Sequence, residues 1–155
     1  MQERSLAAPD LADEIAEPRL QKLYAYWAKA RGARPLPARR DIDPLDFAYM
    51  LGHVMLIDVL RDPLRFRVRL HGSEMAMRAD QDLTGKLRDA MPAGDFRDYV
   101  IARCRGLVER AQPLRVQQDR ALDGRLHSYE ALWLPLSDDG STVSMLMLGL
   151  IYHPD

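Results

Sequence analysis

Four histidines, one cysteine and a few isolated carboxylates are the side chains of this chain that could do chemistry. His53, His71, His127 and His153 are spread along its 155 residues. None stands with another His, Cys, Asp or Glu at a metal-ligand spacing, so no metal site is expected. His53 follows Gly52 at a helix-to-strand junction, where a structural hydrogen bond to backbone is its expected job. His71 closes an alternating segment; its functional reading is a polar contact at a pocket edge, in preference to axial ligation of haem. Cys104 lies in ARCRGL, on the apolar side of a helical pattern, where a free cysteine is usually a small core residue. A flavin-adduct cysteine would stand among Asn, Cys, Arg and Gln. This context lacks the asparagine and the glutamine, so flavin is not expected, and the sequence names no other cofactor.

Carboxylates offer no more. Glu74 and Asp80 are too isolated to form an acid–base pair. There is no glycine-rich phosphate loop and no Gly-x-Ser-x-Gly elbow. No catalytic residue is assigned, and the chain reads as a non-enzyme. Glu130 interrupts an otherwise apolar strand face. A buried carboxylate needs a charged or hydrogen-bonding partner, for which Arg67, Arg69 and Arg103 are candidates.

Composition narrows the class further. Apolar residues make up 47% and charged residues 29%, with 22 basic against 23 acidic side chains, a net charge of −1. That is a globular balance with no single-sign field, so nucleic acid and anionic membrane are not expected partners. One cysteine precludes an intrachain disulfide, which fits a reducing cytoplasm. The amino terminus has no basic region followed by an apolar run, and the longest apolar run, MLMLGLIY, is far short of a membrane span.

The elements that must position these side chains follow from periodicity. Residues 1–16 carry little apolar pattern beyond Leu11 and Ile15 and read as a mobile tail or a short amphipathic lead-in. A single domain then covers 17–155. Pro18 opens a helix in which Leu20, Leu23, Tyr24 and Trp27 share one face, and Gly32 ends it. The linker RGARPLPARR is a solvated connection, without the aromatic interleaving a single-strand binder would want. Asp43-Pro44 starts a short helix that is apolar on more than one side and that Gly52 should stop.

Five segments then read as strands: 53–60, 65–72, 113–122, 126–136 and 143–152. The second alternates Phe66, Val68 and Leu70 against Arg65, Arg67 and Arg69. The third is the most polar and belongs at an edge. The first and fifth are apolar on both faces and should pair at the sheet centre. Between the second and third lie a short helix around 73–79, irregular pieces to Pro92, and the strongest helix, 94–111. Two strands, a helical middle and three strands is the order of a small sensor fold.

The run WAKARG, PLPARRDIDPLD, LGHVMLIDVL, RFRVRLHG, DLTGK and YEALWLPLSDDG resembles the proteobacterial single-domain PAS family often labelled PAS_5. The resemblance covers roughly 19–152, and 41–85 is its most specific stretch, where proline, glycine and histidine punctuation fall in order. It implies an α+β, PAS-like fold: a five-stranded antiparallel sheet in the order 2-1-5-4-3, helices on one face, and an N-terminal amphipathic helix. It also implies a sensory or signalling role. It carries over no ligand and no functional residue. Where the family reads roughly valine-glycine-threonine after the second strand, this chain has His71-Gly72-Ser73, so a polar side chain stands at the pocket edge.

On such a fold the ligand-pocket candidates are Phe66, Val68, His71, Met75, Tyr99, Tyr129, Trp133 and Met147. The methionines there suit an adaptable cavity for a small hydrophobic ligand, and suit a plastic core equally well. Leu20, Leu23, Tyr24 and Trp27 are the candidates for a homodimer or for docking an output protein. Three readings stay open: a sensor that binds a small molecule or a protein, a structural interaction module with a filled core, and a small α+β pocket enzyme.

Overall fold

The computed structural model describes residues 2–4 and 8–154, with side chains from Leu11 onward. Its strands are β1 (Gln2–Arg4), β2 (Val54–Leu60), β3 (Arg65–His71), β4 (Leu114–Leu122), β5 (Arg125–Leu136) and β6 (Met145–Tyr152). They form one antiparallel sheet in the order β1-β4-β5-β6-β2-β3. The five strands read from the sequence are β2 to β6, and they stand in the expected order, with β2 and β6 paired at the centre. β4 is one of the two end strands of those five, as expected, but β1 covers part of its edge at Arg115, Val116 and Gln117.

Four α-helices pack on this sheet: α1 (Ala8–Glu14), α2 (Pro18–Arg31), α3 (Ser73–Ala79) and α4 (Asp95–Arg110). Tighter 3₁₀ turns occupy Arg39–Asp41, Pro44–His53 and Arg88–Ala90. Among the described residues no helix is long and apolar enough to cross a membrane.

Strand register sorts the side chains onto two faces. Gly149, Leu132 and Val54 lie side by side, and a Cβ at Gly149 would stand 2.7 Å from Leu23 and 2.9 Å from Leu20. This is the α2 face, and the glycine is what lets the helix approach. One residue along, Leu148, Trp133, Leu114 and Met55 line the opposite face, which α3 and α4 cover. Helices α3 and α4 thus share one face, as expected, and the N-terminal helix α2 lays its apolar stripe on the other.

That placement corrects two readings. Leu20, Leu23, Tyr24 and Trp27 are buried inside one chain, and the Trp27 indole Nε1 donates to the Pro135 carbonyl at 2.9 Å. They are core, not a free docking face. Of the two readings of 1–16, the amphipathic lead-in holds for the described part: α1 is helical and both Leu11 and Ile15 are buried in the common core. Residues 1 and 5–7 of the expected tail lie outside the described residues.

The capping chemistry is local and legible. Pro18 sits in the first turn of α2, Glu17 accepts from the Arg19 amide, and Gly32 ends the helix at φ +60°. Asp43 caps the 3₁₀ segment by accepting from Leu45 N–H at 3.0 Å. That segment runs through Gly52 to His53 with kinks at Phe47 and Met50. Its apolar residues do not all find cover: Phe47 and Met50 are buried, whereas Leu45 is 80% exposed. The start of α4 is held from a distance, since the Asp123 carboxylate in the β4–β5 turn accepts from the Asp95 and Phe96 amides, both at 2.9 Å.

Candidate functional site

The layer between α4 and the sheet gathers seven of the eight pocket candidates. Phe66, Val68 and His71 come from β3 and Tyr129 and Trp133 from β5. Met75 is the buried residue of α3, and Tyr99 reaches in from α4. Met147 is the exception. It pairs with Leu134 and Leu56 on the α2 face, two residues from Gly149, and so belongs to the other core.

The polar members of the layer are held as follows. His71 is 8% exposed and its Nδ1 accepts from the Leu83 amide at 3.0 Å, which leaves the ring proton on Nε2. Burial lowers its pKa, only partly offset by nearby Asp82, and Arg88 lowers it further. The imidazole is therefore neutral near pH 7. The Tyr99 hydroxyl accepts from Arg103 Nη2 at 3.1 Å and is also bonded to Tyr129. Two guanidinium groups approach the Tyr99 ring, Arg103 at 5.3 Å and Arg120 at 5.4 Å from its centroid. Burial raises the phenols of Tyr99 and Tyr129, so both stay protonated. Cys104 is fully buried and its thiol is pushed up to about 12, which removes it as a nucleophile at neutral pH.

Two residues in this layer were not singled out from the sequence. Arg88 is 6% exposed, and its Nε is buried with no hydrogen-bond partner. Burial lowers its pKa. Gln118 is fully buried, and among the described residues neither its Nε2 nor its Oε1 has a partner. Gln118 was readable, since it continues the Leu114, Val116 alternation inward. Arg88 was not, because 80–94 has no periodicity to say which way a side chain turns.

Glu130 sits on the α2 face, out of this layer. Its carboxylate accepts from Arg115 Nε at 2.8 Å and from the amides of Ala16 at 2.9 Å and Glu17 at 2.8 Å. The expected partners are engaged elsewhere: Arg67 and Arg69 pair with Asp58 at 3.2 and 3.0 Å, and Arg103 is on the opposite face. The remaining histidines are structural neighbours. His127 stacks on Phe96 at 4.2 Å, and His153 bonds Gln117. The Nδ1 of His53 is buried without a partner, so this nitrogen does not make the backbone bond expected of it. Among the described residues no group of three or more His, Cys, Asp or Glu could hold a metal ion.

A cleft of about 240 Å³ opens beside α4, lined by Tyr99, Arg103, Leu107 and Leu114 among others. Of the layer's polar groups it is lined by Tyr99 and Arg103, and not by Arg88, His71 or Gln118. A second, of about 350 Å³, lies over Glu130, Tyr152 and His153.

Five antiparallel strands in the order β4-β5-β6-β2-β3, with the short α3 and the long α4 over the face opposite α2, define a PAS-type α+β domain. The chain belongs to the PAS domain family PAS_5, whose family model matches residues 15–152. PAS domains are sensory and signalling modules. No curated protein and no solved structure matches the chain.

Proposed function

We propose that this PAS domain is a sensor that binds a small molecule in the layer between α4 and the sheet and carries out no reaction on it. The observation that carries the reading is the polarity of the layer. A core built only for stability has no use for a buried guanidinium and a fully buried, unpartnered amide. Arg88 and Gln118 are such groups, on the face where His71 and Tyr129 also point. Binding rather than catalysis is supported by the carboxylates. The buried ones, Asp58 and Glu130, are engaged by arginines on the other face.

The test is a pair of mass spectra, native and denaturing, of freshly purified protein. An added mass that disappears on denaturation supports the reading. A clean polypeptide mass in both counts against it.

Signal output through a homodimer or an output protein has a separate support. Leu45, Met77 and Leu126 are large apolar residues left exposed. The native spectrum reports that oligomer directly. The cytoplasm is the setting we propose, in keeping with the lone cysteine.

A further inference from the structure

Among the described residues Arg88 is a buried cation without an anion. Its Nε makes no bond among the described residues, and no Asp or Glu bears on its ionisation. The group that does is the thiol of Cys104, which stays protonated, and Arg88 in turn lowers the pKa of the neutral His71. The deficit extends across the layer. The strand positions that face α4 run through Met55, Ile57, Val59, Phe66, Val68, Val116 and Ala131 without one carboxylate. From α4 itself the buried residues are Val100, Cys104 and Leu107. Arg103 adds a second guanidinium, half-buried and bonded to Tyr99. Nearby acids are turned outward: Asp89 is exposed and paired with Arg65 at 2.6 Å, and Asp82 is exposed beside His71.

We propose that this layer takes a small organic carboxylate with an apolar body, anchored by a two-pronged bond to Arg88. This rests on the sensor reading above and names its ligand class. The guanidinium fork matches a carboxylate edge, and a desolvated site makes that bond strong. A single buried, unpaired cation is balanced by a single negative charge. The apolar surroundings then favour a hydrocarbon remainder over a second charged group.

Thermal unfolding at constant ionic strength tests it, with acetate, hexanoate and benzoate as probes and hexanamide as the uncharged match for hexanoate. Hexanoate or benzoate should raise the midpoint by about 5 °C at saturating concentration. Acetate should do less, and hexanamide should do nothing. Arg88→Gln should abolish the rise while melting no lower than the parent, since it removes a buried unpaired charge. An equal rise with hexanamide, a rise retained in Arg88→Gln, or no rise with any carboxylate overturns the proposal. Should Arg88→Gln not fold, the hexanoate and hexanamide comparison on the parent protein decides alone. The native spectrum separates this failure from failure of the sensor reading. A neutral molecule held equally by the parent and Arg88→Gln would keep the sensor and discard the carboxylate.

Discussion

Arg115 donates to Glu130 at 2.8 Å across the β4–β5 ladder, and the same carboxylate accepts the two backbone amides that lead into α2. One buried ion pair thus fixes the chain entering the outer helix to the sheet. Both side chains are almost wholly removed from water. Taking away one partner leaves the other buried and uncompensated, at a cost of about 3–5 kcal/mol. Glu130→Leu should lower urea stability by about 3 kcal/mol, and adding Arg115→Met should recover much of the loss. A double variant as weak as the sum of the two single ones would mean that the pair is not coupled.

Gln118 predicts the opposite sign. Its amide is buried, with no partner for either atom among the described residues. Replacing it by methionine keeps the length and removes the unsatisfied groups, so stability should rise by about 1 kcal/mol. Urea unfolding measures this. A fall of more than about 2 kcal/mol would reveal a bond to the amide that matters for folding.

Trp27 settles what the α2 stripe is for. It is fully buried, stacks with Tyr24 at 5.9 Å and bonds Pro135. Trp27→Ala should cost about 3–5 kcal/mol. Trp27→Glu should abolish cooperative unfolding by circular dichroism rather than release a folded monomer. A folded, monomeric Trp27→Glu protein would return this face to the dimer interface.

These corrections mark where sequence stops speaking. The strands were legible because Phe66 and Val68 alternate with arginines and because Asp123-Gly124 and Asp139-Gly140 punctuate the chain. An amphipathic stripe such as Leu20 to Trp27 says that a face is buried, not whether a sheet or a second copy buries it. Met147 went to the wrong layer for a related reason. β6 is apolar on both sides, so nothing polar marks its faces. The pointer was Gly149, two residues on, where a helix passes too close for a side chain. Glu130 announced that it needed a partner, but choosing Arg115 over Arg67 required the strand neighbours.

His71 links the layer to pH. Burial holds its folded-state pKa below the ordinary value of 6.5. The unfolded chain therefore binds the proton more readily. Stability from this group is full above about pH 6.5 and falls as the pH drops towards the folded pKa. His127 is lowered by burial too and adds a slope of the same sign. His71→Asn preserves an acceptor for the Leu83 amide and removes the titration. The melting temperature of the parent should fall more between pH 7.5 and pH 5.5 than that of the variant, and the difference reports His71 alone. Identical losses in both proteins would show that protonated His71 is accommodated within the fold.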